Sequence, residues 1–460
     1  MIAAVALDLG TTTIKAGLLS QDGTLSGVVA RAAPAIAVSS GRYESDAVAY
    51  AMVADEVLAG CLARTDARPP LGLCSQRSSF LIWERASGQP VTPLISWQDD
   101  RGAASCAELR DHEGTIRELT GLPLTPYYLA PKLRQLLHEH PSWRERLVRG
   151  EWLLGTLDTF LIWRWTEGVR HLTDASMAAR TLLMDVRRGQ WSPGLCELFD
   201  IPLQILPQIK SSVGPGISLN NGLTLQASVG DQSAALAASI GSDQPEALVN
   251  LGTGGFVVCY LPPGRSAPDG YLQTLIWQDE AGQVHLASEG TLNSIAAALA
   301  PYPAEACRVE DLARDEVFCL AEPSGLGAPY FYCDLGLTFS KPVDHLSAHR
   351  IAVLLQEGII FRVARILEDF HREFGVERVY LSGGLSSLPC LQHGIAQCVP
   401  LAVYRLLQAE TSLIGTAQLA AGMSSSGSRK AERLEGATPP SRLAEKYLRW
   451  KGWLDGLLRR

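Results

Sequence analysis

The sequence predicts an α/β protein built from two similar lobes. The chain has 460 residues, of which 47% are hydrophobic, which is enough for two or three domains with cores of their own. Short apolar runs alternate with stretches that carry apolar residues at helical spacing. A glycine- and hydroxyl-rich turn between two apolar runs occurs near the start and again near residue 252. The repeated turn indicates a duplicated fold.

The first turn follows the opening strand. An apolar run ends at Asp8, Gly10 and three threonines follow, and a second apolar run contains Lys15. Glycine lets backbone N–H groups approach a phosphate, and small hydroxyls add donors. Asp8 cannot bind phosphate directly because two anions repel, so its position makes sense if a divalent cation lies between them. A plain β-hairpin with a polar tip is the alternative interpretation.

The other elements of the N-terminal half follow in order. The pattern predicts strands at 26–33, 71–75, 80–84, 91–97 and 225–229, a helix at 48–62, and mostly helices over 101–165, including 132–137 and 152–165. The last strand leads into Gly230 and Asp231, which places this carboxylate at a sheet edge. A helix cap for the segment that begins at Gln232 is the structural alternative.

The second turn lies in a strand–turn–strand segment over 248–260. It lacks the Gly-Lys-Ser/Thr of a Walker loop and the third glycine of the Rossmann fingerprint. A long amphipathic helix at 351–374, a strand at 378–382 that runs into a glycine pair, a linker-like stretch at 424–430 and a terminal helix from 440 onward complete the chain. We predict domains at 1–240 and 241–424, with a linker and terminal helix at 425–460.

Composition and charge exclude several classes of function. The net charge of −8 and the absence of a basic block argue against a nucleic-acid partner. No apolar stretch reaches 18 residues and the start lacks a basic leader, so we expect no membrane span and no signal peptide. Ten scattered cysteines without a Cys-x-x-Cys pair predict buried, reduced thiols in a cytoplasmic protein, not a zinc site or a disulfide framework.

The order of these motifs resembles the actin-like ATPase superfamily, whose domains have a ribonuclease H-like fold. Within it, the chain is similar to the FGGY carbohydrate kinases, and most of all to glycerol kinases. The matching stretches are 6–12, 75–77, 95–101, 120–127, 132–133, 155–159, 172–174, 179–181, 230–235, 252–254, 289–290, 325–330, 382–384 and 415–417.

The resemblance implies ATP-dependent phosphorylation of a small polyol or sugar in a cleft between two domains. Asp231 corresponds to the general base and Asp8 to the Mg²⁺ anchor. The positions implied for the acceptor are Arg77, Ser78, Trp97, Tyr127, Asp231, Gln232 and Phe256. Those implied for the nucleotide are Thr11, Thr12, Lys15, Gly252, Thr253, Gly325, Gly383 and Gly384. Arg, Asp and Gln suit hydroxyl groups, and aromatic rings suit C–H faces.

The chain departs from the glycerol kinase pattern in three places. Ser78 stands where glycerol kinases carry glutamate, which removes a carboxylate and opens space for a different or larger polyol. The usual Trp-Leu-Arg-Asp after Asn293 and the Arg-Gly loop after Tyr330 are also missing. A ketose kinase of the xylulose or ribulose type is therefore one alternative function. For the oligomeric state, we consider a homodimer.

Two further alternatives share the fold but not the reaction. One is a non-catalytic sugar or nucleotide sensor, and the other is an actin-like polymer or chaperone motor. The presence of both Asp8 and Asp231 favours the enzyme, because a pure binding protein needs neither a metal anchor nor a base.

Overall fold

The computed structural model describes residues 1–332, 334–424, 429–435 and 441–459. The chain divides into two compact units. The first comprises Met1–Ala238, Thr274–Leu286 and Glu410–Ser428, and the second comprises Ser239–Gln273, Ala287–Ala409 and Arg429–Arg460. The first unit thus includes a segment from near the end of the chain.

The N-terminal half alternates strands and helices, with short 3₁₀ helices between some of them. Its strands are β1 (Ile2–Leu9), β2 (Thr13–Ser20), β3 (Leu25–Ala32), β4 (Ala37–Ser39), β5 (Arg42–Ser45), β6 (Leu71–Ser75), β7 (Phe80–Glu84), β8 (Leu94–Ile95), β9 (Trp152–Thr156), β10 (Leu172–Asp174), β11 (Met184–Asp185), β12 (Gln190–Trp191), β13 (Gln208–Lys210), β14 (Val213–Ser218) and β15 (Thr224–Gly230). Its helices are α1 (Ala47–Leu62), α2 (Ala103–Glu108), α3 (Glu113–Thr120), α4 (Leu129–Glu139), α5 (Pro141–Val148), α6 (Leu157–Trp165), α7 (Ala175–Ala178), α8 (Pro193–Leu198) and α9 (Asp231–Ser239).

The C-terminal half repeats this alternation. Its strands are β16 (Glu246–Leu251), β17 (Gly255–Tyr260), β18 (Leu272–Gln278), β19 (Val284–Leu292), β20 (Cys319–Leu320), β21 (Thr338–Phe339), β22 (Arg378–Ser382), β23 (Ala402–Leu406) and β24 (Ala431–Arg433). Its helices are α10 (Ile295–Leu299), α11 (Ala348–Phe374), α12 (Pro389–Cys398), α13 (Thr411–Ala421) and α14 (Arg442–Leu458).

The main sheet of the first unit has the order β14-β15-β6-β1-β2-β3. β1 pairs antiparallel with β2 and parallel with β6, and β6 pairs parallel with β15. The carboxyl ends of β1, β6 and β15 therefore meet at one edge of the sheet. In register, Asp8 lies beside Cys74 and Val229 lies on the other side of Cys74.

Two helices, α1 and α13, cover the two faces of this sheet, which explains why β1 is apolar up to Asp8. The larger side chains of β1, such as Val5 and Leu7, pack in one core with helix α1. The small side chains of Ala4 and Ala6 lie in a separate core with α13, where their size lets that helix approach closely. A second sheet of this unit, ordered β4-β5-β8-β7-β9, carries the loop that begins at Trp97.

The second unit repeats the topology of the first. β16 pairs antiparallel with β17 and parallel with β22, and β22 pairs parallel with β23. In the same way, β1 pairs antiparallel with β2 and parallel with β6, and β6 pairs parallel with β15. Helix α11 supplies much of the core, and it ends at Gly375, whose left-handed φ of 70° suits a helix C-terminus. The predicted duplication of a hairpin followed by parallel strands is confirmed.

Two predicted elements differ from the observed ones. The stretch 152–165 was predicted as one helix, but its first five residues form β9, because they pair with β7 along its whole length. The strand predicted at 91–97 is limited to the two residues of β8. Residues 425–428, most of the linker-like stretch predicted at 424–430, lie outside the described residues, as do residues 436–440.

Among the described residues, the nine cysteines are free thiols, and all but Cys106 are buried. None of the helices in the described part of the chain combines the length and the apolar character needed to cross a bilayer.

Candidate functional site

The turn between β1 and β2 is held from several sides. A Cβ at Gly10 would lie 2.7 Å from a backbone oxygen of the same turn, so the turn requires glycine. The Thr11 hydroxyl donates to Gln76 Oε1 at 3.3 Å and accepts from the Trp97 indole N–H at 3.0 Å. The Tyr50 hydroxyl donates to the Gly10 carbonyl. These bonds fix the turn, while Thr12 at its tip is exposed.

Asp8 lies near the end of β1, with 9% of its surface exposed. Its Oδ2 accepts a hydrogen bond from Ser412 Oγ at 2.6 Å. Its Oδ1 is buried and has no hydrogen-bond partner among the described residues. The pKa of Asp8 is raised to about 6, mainly by burial; the hydrogen bond from Ser412 opposes this rise, and the charge of Asp231 adds to it. A buried carboxylate oxygen without a partner fits a cation or its water ligand.

The described residues contain no cluster of three or more His, Cys, Asp or Glu side chains that could bind a metal ion. A cation beside Asp8 would therefore take its other ligands from water and phosphate. Mg²⁺ prefers this arrangement, because it gives up its water shell reluctantly.

Asp231 is the first residue of α9 and directly follows β15. Its side chain is 32% exposed, and its Oδ1 lies 3.8 Å from Arg77 Nε. The backbone N–H of Gln232 donates to the same oxygen at 2.7 Å. Desolvation raises the pKa of Asp231, and the Arg77 guanidinium limits that rise. A carboxylate with a raised pKa is a better proton acceptor at neutral pH than an ordinary one.

A buried network holds the backbone just before Asp231. The Gly230 N–H donates to Ser176 Oγ at 2.8 Å, and the Ser176 hydroxyl donates to Asp174. A Cβ at Gly230 would lie 2.7 Å from Arg77 Cδ, so glycine lets the arginine stem pass closely. The network fixes where α9 begins and therefore where its first carboxylate stands.

Four residues predicted for the acceptor form two contacting pairs in the first unit. Arg77 is buried, whereas Gln232 is exposed. The Arg77 guanidinium donates a hydrogen bond to Gln232 Oε1. The rings of Trp97 and Tyr127 lie 5.3 Å apart and are tilted by 49°. The Trp97 indole N–H also donates to the Thr11 hydroxyl in the turn after β1. One pair offers hydrogen-bonding groups and the other offers aromatic surface.

Lys15 lies opposite Asp8 in the β1–β2 register. Its ammonium group forms an ion pair with Glu410. Its Nζ lies 2.8 Å and 2.7 Å from the two carboxylate oxygens of Glu410. Both side chains are partly exposed. The predicted phosphate contact of Lys15 would thus have to form beside an existing ion pair.

In the second unit, Gly252 and Thr253 form the turn between β16 and β17. The Gly252 N–H donates to the Gly254 carbonyl at 2.8 Å, and Thr253 is exposed. Phe256 follows on β17, where it is half-buried and pairs in register with Thr291. This turn matches the turn after β1 in its place within the sheet.

The glycines predicted for the nucleotide differ in their surroundings. Gly383, after β22, has φ of 87°, and a Cβ there would lie 2.4 Å from the Leu251 carbonyl oxygen. Gly384 faces open space, and Gly325 has φ of 90°. The Gly325 carbonyl accepts from Asn293 Nδ2 at 3.0 Å. Gly383 is therefore required by close packing, and Gly384 leaves room for a ligand.

Known proteins agree with this architecture. The family model for the N-terminal domain of the FGGY family of carbohydrate kinases matches residues 3–249, and that for the C-terminal domain matches residues 247–424. The chain belongs to the FGGY family of carbohydrate kinases. This FGGY kinase is therefore a phosphotransferase that acts on an alcohol group, as the sequence predicted, and its family implies ATP as the phosphate donor.

The similar proteins that carry a curated name include two glycerol kinases. The protein from Halorhodospira halophila is 31% identical over 448 residues, which cover 90% of this chain and 87% of the relative. The protein from Alkalilimnicola ehrlichii is 32% identical, and the match covers 96% of this chain and 93% of the relative.

Solved structures share the fold of this FGGY kinase. Plasmodium falciparum glycerol kinase with ADP superposes with a TM-score of 0.87 at 21% identity, covering 98% of both chains. Xylulose kinase from Rhodospirillum rubrum gives 0.83 at 19% identity, covering 99% of both. The predicted fold class is confirmed.

Ser78, which the sequence predicts for the acceptor, lies in the interior of this FGGY kinase. It is fully buried, has a left-handed φ of 65°, and its hydroxyl donates to the Arg180 carbonyl at 2.9 Å. The short side chain ends at that carbonyl, so it presents no surface to an acceptor. Compared with the glutamate that glycerol kinases carry at this position, this serine has a smaller side chain and no charge.

Sequence reasoning gave no role to Lys132, which the structure connects to the site. Its Nζ is buried and donates to the carbonyls of Ser96 at 2.9 Å and Trp97 at 3.3 Å. Burial lowers the pKa of Lys132 to about 7. The sequence signal that could have pointed to Lys132 is its position as a charged residue in an otherwise apolar helical stretch.

Proposed function

We propose that this FGGY kinase transfers the γ-phosphoryl group of ATP to a hydroxyl of a small polyol, with Asp231 as the general base. The observation that carries the proposal is the placement of two carboxylates at one sheet edge. Asp8 ends β1 and Asp231 follows β15, and both strands run parallel to β6 between them. One carboxylate has a buried oxygen without a partner and the other has a guanidinium beside it. Phosphoryl transfer to an alcohol needs a cation site and a base of these kinds.

Each residue of the proposed site has a separate role in the reaction. Asp231 accepts the proton of the acceptor hydroxyl while Arg77 keeps that carboxylate oriented. Arg77 and Gln232 bind acceptor hydroxyls, and Trp97 and Tyr127 cover its C–H face. Asp8 would hold Mg²⁺ through water, and the ion would neutralise charge on the phosphates.

The nucleotide contacts remain proposals for both units. In the first unit, the threonines of the turn after β1 and Lys15 would donate to phosphate oxygens. In the second, Gly252 and Thr253 would do the same, and the glycines at 325, 383 and 384 would let backbone lie against the nucleoside. Phe256 would contribute to the acceptor pocket.

Glycerol is the first acceptor to test. The curated relatives named glycerol kinase are 31% and 32% identical to this chain over most of its length, which supports an acceptor of that class. A ketose or a longer polyol is the second candidate, because Ser78 has a smaller, uncharged side chain where glycerol kinases carry glutamate.

A coupled ADP-release assay tests the proposal. Purified protein with ATP and Mg²⁺ is offered glycerol, longer polyols, xylulose and ribulose in turn. We expect at least one acceptor to raise ADP release well above the rate without acceptor, and Asp231→Asn to remove that increase. ADP release that no acceptor stimulates would favour the sensor and contradict the kinase assignment.

A further inference from the structure

The first turn of α13 contacts the phosphate turn from the far end of the chain. Ser412 lies 404 residues after Asp8, yet its hydroxyl donates to Asp8 Oδ2 at 2.6 Å. Two residues earlier, Glu410 binds Lys15, the register partner of Asp8. A helix that is remote in sequence therefore holds both charged residues of the first hairpin.

Close packing fixes the position of this helix. A Cβ at Gly415 would lie 1.9 Å from the Ala234 carbonyl oxygen of α9, the helix that begins with Asp231. A Cβ at Gly72 on β6 would lie 2.5 Å from the Thr416 carbonyl oxygen. Real Cβ atoms do not approach this closely, so neither glycine can be replaced without moving α13. The helix is therefore locked to the same sheet edge that carries the two carboxylates.

The hydrogen bond from Ser412 divides the Asp8 carboxylate into two different oxygens. Oδ2 is occupied by the serine hydroxyl, whereas Oδ1 is buried and has no hydrogen-bond partner among the described residues. The bond removes the freedom of the carboxylate to rotate about its last torsion. The oxygen left over is the one available to a cation or to its water ligand.

The Ser412 hydroxyl does not cap helix α13. The N-cap of α13 is Glu410, and it makes no side-chain capping bond. The Ser412 carbonyl accepts from the Thr416 hydroxyl within the helix, but its own hydroxyl goes to Asp8. Helix formation therefore does not explain this hydroxyl.

We propose that Ser412 is a positioning residue for the divalent cation that Asp8 binds. The inference rests on the proposed function, since it needs Asp8 to be the cation site. Residues that orient a metal ligand typically contribute about 10- to 100-fold to metal affinity. Ser412 acts by holding Asp8 Oδ2 so that Oδ1 faces the cation; it does not contact the acceptor or the phosphoryl group.

Mn²⁺ binding measured by titration calorimetry in the presence of ADP tests this role directly, without turnover. We expect Ser412→Ala to raise the Mn²⁺ dissociation constant about 10-fold or more. Ser412→Thr keeps a hydroxyl on the same carbon and should restore most of the affinity. Thr411→Ala, the matched control on the same helical turn, should bind Mn²⁺ like the wild type. ADP binding without metal should be unchanged in all three variants.

Two results would overturn the inference, and they are distinguishable. If Asp8→Ala weakens Mn²⁺ binding at least tenfold while Ser412→Ala stays within twofold of wild type, Asp8 binds the cation without help from Ser412. If Asp8→Ala itself binds Mn²⁺ normally, the cation site of the proposed function is wrong and the role of Ser412 falls with it. Should Ser412→Ala not fold, Ser412→Cys, which keeps the size with a weaker donor, takes its place.

Discussion

Replacing Asp231 by asparagine separates its chemistry from its structural role. Asparagine has the same shape and can still accept the Gln232 N–H that Asp231 Oδ1 binds at 2.7 Å. Arg77 keeps its bond to the Gln232 side chain, so the binding groups remain in place. The change removes only the negative charge and the capacity to take a proton. Its effect should therefore fall on kcat more than on KM.

The size of the effect follows from what a positioned base supplies. General-base catalysis contributes about 10²- to 10⁴-fold, or roughly 3–5 kcal/mol of barrier. Folding should not suffer, because the raised pKa of Asp231 shows that the folded protein disfavours its ionised form. At pH 8 we expect Asp231→Asn to have a melting temperature equal to or above that of the wild type.

The assay is acceptor-dependent ADP release, with kcat and KM determined for the best acceptor. Asp111→Asn serves as the matched control, since it makes the same change at an exposed position of the same unit and should leave both constants unchanged. Activity of Asp231→Asn within about tenfold of the wild type would refute the assignment, because a base cannot contribute so little. A loss of activity that tracks a fall in melting temperature would also refute it.

Three other substitutions have defined outcomes. Asp8→Asn should raise the free energy of unfolding of the metal-free protein above pH 6 by up to about 3 kcal/mol, since burial raises the pKa of Asp8 from 3.8 to about 6. This gain should shrink as the pH falls from 6 to 4, where wild-type Asp8 takes up its proton; denaturant titrations at both ends of that window check the sign. Ser176→Ala breaks the bond to the Gly230 N–H, so we expect a lower kcat and a loss of about 1–3 kcal/mol of stability; an unchanged kcat would mean that the network does not position Asp231. Ser78→Glu should raise kcat/KM for glycerol relative to longer polyols, because it restores the carboxylate that glycerol kinases carry at this position, and an equal ratio would place this position outside the acceptor pocket.

The parts of the site that are local in sequence were predictable. The turn after β1 and the end of β15 at Asp231 each consist of consecutive residues, in which glycine follows an apolar run. The family resemblance then added roles to these residues. The fold followed because both halves repeat the same local pattern.

The parts that depend on tertiary contacts were not predictable. The contact between Ser412 and Asp8 joins residues 404 positions apart, and no local pattern records it. The strand at 152–156 is as apolar as the helix after it, and only pairing with β7 decides between the two. The direction of the Ser78 side chain likewise depends on the Arg180 carbonyl, which lies 102 residues away.

Helix α13 has a consequence for how the protein is made. During synthesis, the first 240 residues leave the ribosome long before residues 411–421, so the sheet face formed by Ala4, Ala6 and Ala227 stays without its cover until α13 has been made. The nascent N-terminal half should therefore remain incompletely folded, and its Asp8 lacks the hydrogen bond from Ser412. A fragment cut at residue 240 would expose that alanine-lined face, and supplying the missing helix as a separate peptide should restore it.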